Sequence, residues 1–289
     1  MTETSSLEDC IAIACVALAS VSGLISNSVS LYIARTRARF RNAFGILCSG
    51  FLICNLQAIF VHFTWCTIVL SVKSPAFASP QLFIVRLMGL LLNAGWFGSL
   101  LLHFFTALNR FSAFVFATKY NQLWSQSNAF KIVIIAWTSS MVYCTHHLYE
   151  NCALLFHDGS AYRWLHNTTF HGQICSNINA AVSLLIIMAM ACIDFITLIK
   201  MLAYRRAMRR NMGISVVGSC KFGMIYVSFV LSFNVTPHFS TDKWILFVSS
   251  TIGWILAHSL NGLCFLIFNR NLLCKKKLRA MTVTPIANF

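Results

Sequence analysis

The sequence predicts an all-α protein folded as a seven-transmembrane helix bundle, with its N-terminus outside the cell and its C-terminus in the cytosol. Three observations lead to this prediction: the composition, the number of apolar blocks and the placement of positive charge. The chain has 289 residues, 58% of them hydrophobic and 10% charged, and a mean hydropathy of +0.72. A water-exposed globular surface needs far more charge than this, so we expect a membrane protein.

Seven apolar blocks follow one another along the chain. A helix that crosses a bilayer core about 30 Å thick needs roughly 20 apolar residues, and most of the blocks are long enough. The sixth is the shortest and must borrow neighbouring residues to cross. The predicted spans are Cys10–Ala34, Ala43–Val72, Leu82–Leu108, Ile132–Tyr149, Ile178–Leu202, Phe222–Val235 and Trp244–Phe268. The expected organisation is an extracellular N-terminus at 1–9, a membrane domain at 10–268 and a short basic cytosolic tail at 269–289.

Positive charge is concentrated on one side of this arrangement. Eighteen of the 22 Lys and Arg residues lie in or beside alternate loops. The exceptions on the opposite side are Lys73, Arg86, Arg163 and Lys243. Cytosolic loops carry the excess of Lys and Arg in membrane proteins, so the N-terminus is expected outside. The net charge of +15 then indicates contact with acidic membrane lipids, and no nucleic-acid partner is expected.

The longest polar segment between blocks, from Glu150 to Asn177, lies on the predicted outer side. Cys152 and Cys175 flank it in an oxidising compartment, where a disulfide between them would hold the loop over the bundle. The same loop contains Asn167-Thr168-Thr169, a glycosylation sequon. We therefore expect a Cys152–Cys175 disulfide and a glycan on Asn167.

Catalytic and metal sites are not expected. Cys144, His146 and His147 lie close together but lack a fourth ligand at a typical spacing, so packing at the membrane interface is the favoured interpretation. The sequence contains no His-Glu-x-x-His, Gly-x-Ser-x-Gly or Cys-x-x-Cys motif, and no cofactor is implied. A transporter or ligand-gated channel of the plasma membrane is the alternative, although its pathway would need ionisable groups near the bilayer midplane.

One stretch after the third block points to a family. Leu108-Asn109-Arg110-Phe111, continued by Lys119-Tyr120-Asn121, resembles the nematode chemoreceptors of serpentine receptor class x. The likeness covers nearly the whole chain. Weaker matches are Asn42-Ala43-Phe44-Gly45, Trp137, Asp194-Phe195-Ile196-Thr197 and His258-Ser259-Leu260-Asn261-Gly262.

This resemblance implies a rhodopsin-like G-protein-coupled receptor. Such a protein would have a chemosensory role in the plasma membrane, with the sensory cilium as a candidate location. Its partners would be a heterotrimeric G protein and an extracellular small-molecule or peptide ligand.

The resemblance also implies residues for coupling and activation. Arg110 would contact the G protein. In the wider rhodopsin-like pattern this arginine belongs to an Asp-Arg-Tyr motif, and Asn109 replaces the acid of that motif here. Asp194 is the only acid within an apolar block and needs a partner or water; Arg110, Lys200 and solvation at the cytosolic interface remain open. The implied set is Asn109, Arg110, Phe111, Asp194 and Asn261.

Candidate ligand contacts lie in the outer half of the bundle. Arg86, Leu90, Asn93 and Phe97 recur at spacings of three and four, which places them on one face of the third helix. Packing is the alternative for each of them, and Arg86 could extend to lipid headgroups instead. If Arg86 binds ligand, an anionic or carbonyl-bearing compound is favoured. His62 and Trp254 could also face this region, and the predicted set is Arg86, Asn93, Phe97, Trp65 and His258.

Overall fold

The computed structural model describes residues 3–157, 159, 162–207 and 239–269. The described part is mostly helical, as predicted. Its α-helices are α1 (Glu3–Thr36), α2 (Ala43–Val72), α3 (Phe83–Val115), α4 (Tyr120–Leu123), α5 (Gln126–Tyr143), α6 (Phe170–Ala207), α7 (Lys243–Phe247) and α8 (Gly253–Phe268). Short 3₁₀ segments cover Ala38–Phe40, Pro75–Ala78, Cys144–Leu148 and Glu150–Cys152, and a π-helical turn, Val248–Ile252, joins α7 to α8.

Five helical segments of the described residues are long and apolar enough to cross a membrane, and the last of them combines α7, the π-helical turn and most of α8. They are Leu7–Thr36, Ala43–Val72, Phe83–Val115, Phe170–Leu202 and Lys243–Ile267. Helix α3 packs against α2, α5 and α6, whereas α1 packs against α2 and α8. The chain is therefore a multi-pass membrane protein in which α3 has a central position.

Most predicted blocks correspond to helices, with shifted ends. Helix α2 has the predicted bounds. Helix α5 begins earlier than the fourth block because Ser125 caps it, accepting a hydrogen bond from the backbone N–H of Asn128 at 3.1 Å. That helix also ends earlier, at Tyr143, where 3₁₀ turns replace it. The sixth block and most of the basic tail lie outside the described residues.

The expected extracellular segment 1–9 is already helical from Glu3. No Gly or Pro precedes the first apolar block, so nothing in the local sequence stops a helix there. Asp9 lies on a covered face of α1 and is 9% exposed. The N-terminal part of α1 thus belongs to the folded bundle.

A β-hairpin in the outer loop was missing from the all-α prediction. Strand β1 (Leu154–His157) pairs antiparallel with β2 (Arg163–His166), and Phe156 lies opposite Trp164. Both of these side chains are buried among the residues of the outer hydrophobic core. The loop that looked polar in sequence therefore inserts an apolar strand pair into the mouth of the bundle.

Gly89 of α3 allows the hairpin to approach this closely. A Cβ added at Gly89 would overlap the backbone carbonyl of Leu154 in β1. The contact is backbone against backbone, so a flexible side chain cannot relieve it. Only glycine fits at this crossing without a shift of α3 or the hairpin.

We expect Gly89→Ala to destabilise the protein by about 1–3 kcal/mol, the usual cost of overpacking. The measurement is the thermal unfolding midpoint of the detergent-solubilised chain. Gly159→Ala is the matched control, since a Cβ there meets nothing within 4 Å. Equal midpoints for the two variants would show that the hairpin does not press against α3.

Candidate functional site

An ion pair joins α3 to α6 near the end of α3 that carries the Asn-Arg-Phe sequence. Arg110 Nη2 lies 2.7 Å from Asp194 Oδ1. The Asp194 side chain is 9% exposed and that of Arg110 is 24% exposed. Of the partners considered for Asp194, the structure brings Arg110 to it, while Lys200 is exposed elsewhere on α6. The intramembrane carboxylate is thus paired.

One neighbour of Arg110 joins α3 to α4, and the other packs near the end of α3. Asn109 is buried, and its side-chain amide donates a hydrogen bond to the Tyr120 hydroxyl at 3.1 Å. Phe111 makes an edge contact with Phe116, with ring centroids 6.3 Å apart. An amide carries no charge, so Asn109 cannot neutralise Arg110. The carboxylate that does so comes from α6.

A network of neutral polar side chains crosses the centre of the bundle. The Asn55 side-chain oxygen accepts hydrogen bonds from Ser99 Oγ at 2.9 Å and from His258 Nδ1 at 2.7 Å. Asn27 donates to the backbone oxygen of His258 at 3.2 Å. Four helices, α1, α2, α3 and α8, therefore meet at one amide. The acid-free sequence of α2 is compatible with this network because none of its members needs a countercharge.

Two predicted residues of α8 belong to this central region. His258 was expected to face a ligand, but its ring hydrogen-bonds to Asn55 and is 0% exposed. Asn261 is also buried, one turn further along. Beside them, a Cβ at Gly262 would overlap the backbone of Asn27, so α1 and α8 cross in close contact.

An aromatic cluster lies between the hairpin and this network. Trp164 donates its indole N–H to His62 Nδ1 at 3.2 Å. The His62 ring meets Trp254 edge-on, with centroids 5.2 Å apart. Trp96 contacts both Trp254 and His258, at 6.1 and 5.7 Å between centroids. The hairpin is therefore linked through edge-to-face ring contacts to the buried histidine of α8.

A polar cluster lies under the disulfide-bonded part of the loop. Asn93 Nδ2 lies 2.7 Å from His147 Nε2, and His147 Nδ1 lies 3.0 Å from the backbone oxygen of Cys152. The carbonyl can only accept, so His147 carries its proton on Nδ1 and accepts from Asn93. Phe97 packs against Tyr143, whose hydroxyl donates to the Asn179 side-chain oxygen at 2.8 Å.

Two members of the 144–147 cluster pack inside the protein. Cys144 and His147 are both 0% exposed, because the 3₁₀ turn after α5 directs them into the bundle. Nearby, burial lowers the pKa of His166 in β2 to about 4, so this imidazole is neutral at pH 7. Within the described residues, no group of three or more His, Cys, Asp or Glu side chains could hold a metal ion.

The other predicted ligand residues, Arg86 and Trp65, lie apart from the polar cluster and from the central network. Arg86 forms a long ion pair with Glu150, at 3.5 Å, beside the outer loop. Trp65 packs edge-on against Phe77, with centroids 5.7 Å apart, at the end of α2. Asn93 and Phe97 thus share one cluster and His258 belongs to another, whereas Arg86 and Trp65 contact neither set through these interactions.

The outer loop is fastened at its base by a disulfide. Cys152 and Cys175 are bonded, with their Cα atoms 5.8 Å apart, and this links the segment before β1 to the start of α6. Asn167 donates from its side-chain amide to the backbone oxygen of Glu150 at 3.0 Å. Its glycosylation stays a prediction.

The tip of the hairpin is fastened by Tyr162. Its hydroxyl donates to Asp9 Oδ1 at 2.7 Å, and Asp9 also pairs with Lys73 at the end of α2. Lys243 Nζ lies 4.0 Å from the centroid of the Tyr162 ring. Thr251, in the π-helical turn, donates to the Tyr162 backbone oxygen at 2.6 Å. The hairpin therefore ties α1, α2 and α7 together across the bundle mouth.

A family model for the serpentine type 7TM GPCR chemoreceptor Srx matches residues 18–269. The chain belongs to the Srx chemoreceptor family. The resemblance predicted from the sequence is thereby confirmed. The matched range includes the Arg110–Asp194 pair, the central network and the whole hairpin. No curated protein matches the chain.

Srx membership makes this chain a serpentine chemoreceptor by family, and the family is not an enzyme class. Several residues of the aromatic cluster and the central network were not singled out from the sequence. Trp96 and Trp164 look like ordinary apolar residues there, and Asn55 and Ser99 are isolated polar residues in apolar blocks. An intramembrane amide is costly without a partner, and this signal could have drawn attention to Asn55.

We expect Trp164→Ala to destabilise the Srx chain by about 3–5 kcal/mol, because it removes a buried indole and leaves a cavity. Trp164→Phe should cost less, since it keeps most of the volume and loses the hydrogen bond to His62. The unfolding midpoint in detergent is the measurement. Phe170→Ala, at a ring that is 73% exposed, is the control. A wild-type midpoint for Trp164→Ala would contradict the packing described here.

Proposed function

We propose that this chain is a plasma-membrane chemosensory receptor that binds a small-molecule or peptide ligand in the outer half of its bundle and signals to a heterotrimeric G protein. Family membership supports the receptor class. The single observation that supports the signalling step is the Arg110–Asp194 ion pair. It occupies the arginine that, by the rhodopsin-like pattern, would contact a G protein.

The proposed resting state holds Arg110 against α6. Because Asp194 is buried and charged, separating it from Arg110 leaves a carboxylate without its counterion. Movement of α6 away from α3 would expose Arg110 for the G protein. The pair then acts as a lock on the inactive arrangement, and Asn109 keeps α3 attached to α4 while the lock opens.

The proposed ligand region is the outer polar cluster that contains Asn93 and Phe97. Here Asn93, His147 and Asn179 place neutral hydrogen-bonding groups beside the aromatic rings of Phe97 and Tyr143. Neutral donors and acceptors among aromatic side chains are typical of small-molecule sites. The hairpin lies over this cluster. A ligand would therefore act by displacing the hairpin or by drawing it closer to the helices.

Packed side chains connect the hairpin to the central network. Trp96 lies on α3 between the aromatic cluster below the hairpin and His258 of the central network. The π-helical turn that contains Thr251 is a form of backbone often found at functional sites. We propose that a shift of the hairpin moves this turn and reaches α3 through Trp96.

Asp194→Asn is expected to raise basal G-protein activation several-fold, because the amide cannot hold the Arg110 guanidinium as a charged partner. Arg110→Ala is expected to abolish coupling while surface expression persists. The measurement is nucleotide exchange on a co-expressed G protein, normalised to surface receptor. Lys200→Ala removes a charge on the same helix without touching the pair and should behave as wild type. Unchanged basal activity in Asp194→Asn would refute the lock.

The proposed topology places residues 1–9 outside, the membrane domain at 10–268 and the tail at 269–289 in the cytosol. Terminal tags should be accessible on intact cells at the N-terminus and only after permeabilisation at the C-terminus. Glycosidase should shift the wild type on a gel and leave Asn167→Gln unshifted. An N-terminal tag that requires permeabilisation would instead favour a channel.

A further inference from the structure

A cavity of about 250 Å³ lies where α1 ends and α2 begins, on the side of the bundle assigned above to the cytosol. The linker between the two helices forms one wall and the start of α5 forms another. The side chains and backbone that surround it include Arg35, Phe40, Arg41, Gly45, Ser49 and Gln126.

Local hydrogen bonds and one close backbone contact fix the walls of this cavity. Asn42 caps α2 by accepting from the backbone N–H of Gly45 at 3.0 Å. A Cβ at Gly45 would overlap the carbonyl of Phe40, so the linker rests directly on the first turn of α2. Gln126 of α5 donates to the backbone oxygen of Arg41 at 2.8 Å. The linker, α2 and α5 therefore all contribute contacts that fix the walls of the cavity.

The electrostatics of the cavity favour an anion. Arg35 and Arg41 are exposed lining residues, and no acidic side chain lines the cavity with them. In the described part of the chain, the ion pairs are made elsewhere, by Lys73, Arg86, Arg110 and Lys243. The N-terminal end of α2 adds partial positive charge through the helix dipole.

We propose that this cavity binds the phosphate-bearing headgroup of an anionic inner-leaflet phospholipid. The planar guanidinium groups of Arg35 and Arg41 match phosphate oxygens. Basic pockets between transmembrane helices on the cytosolic side suit such headgroups. Arg35 follows the apolar length of α1 directly, so a lipid bound here keeps its acyl chains in the bilayer. The proposal depends on the sidedness proposed above and not on the ligand or the G protein.

The test uses the full-length protein in phosphatidylcholine nanodiscs that contain a few per cent of phosphatidylinositol 4,5-bisphosphate. Retained phosphoinositide is counted by native mass spectrometry or with a fluorescent analogue. Arg35→Ala/Arg41→Ala should weaken binding about tenfold or more. Arg35→Lys/Arg41→Lys should weaken it less, because the charge remains and the two-pronged contact is lost.

Arg37→Ala/Arg39→Ala is the matched control, with the same charge change at neighbouring positions that lie outside the cavity lining. A general attraction between basic linker and acidic lipid predicts equal losses for both alanine pairs, and equal losses would overturn the proposal. Soluble inositol trisphosphate separates the two sources of phosphate. Full displacement of the lipid at equal concentration would overturn the assignment to a membrane lipid. Unfolding midpoints for each variant distinguish lost binding from misfolding.

Discussion

A polar group inside a membrane-spanning bundle gains stability from a hydrogen-bond partner within the protein, because lipid chains offer none. This preference accounts for most of the contacts at the centre of the molecule. Asn55 accepts hydrogen bonds from Ser99 and His258, and Arg110 forms an ion pair with the carboxylate of Asp194. Each of these contacts joins helices that hydrophobic packing alone would leave free to slide or rotate, since lipid tails are as apolar as the helix surfaces. The polar pairs therefore provide specific points of contact between these helices.

The hairpin satisfies the same preference at the outer mouth. Its strands pair their backbone groups with each other, while Phe156 and Trp164 enter the apolar core. The disulfide fastens its base and Tyr162 fastens its tip. The hairpin is thus tied to most of the helices around it. A shift of the hairpin would alter its contacts with α1, α2 and α7 at the same time. Such a coupling is consistent with the proposed response of this segment to ligand.

The proposed function assigns the outer end of α3 to the ligand and its inner end to the G protein. Asn93 and Phe97 belong to the outer cluster, Trp96 faces the aromatic cluster, and Arg110 lies at the inner end. Gly89 and Gly98 let neighbours approach the same helix closely, the hairpin at one and Cys54 of α2 at the other. Close packing transmits strain, so in the proposed mechanism a rotation imposed at the outer end of α3 reaches the Arg110–Asp194 pair.

The sequence by itself determined that this is a membrane protein, where its described helices lie, and which family it belongs to. Those conclusions rest on hydropathy and on a contiguous motif, which are properties of neighbouring residues. Helix ends were less predictable at α1 and α5, where caps and the absence of breakers outweighed hydropathy. The tertiary structure decided the partners: Asp194 meets a residue 84 positions away and Asn55 meets one 203 positions away. It also decided that an outer loop of mixed composition forms a buried hairpin, because burial depends on the surface that the other helices present, and no local pattern contains that surface.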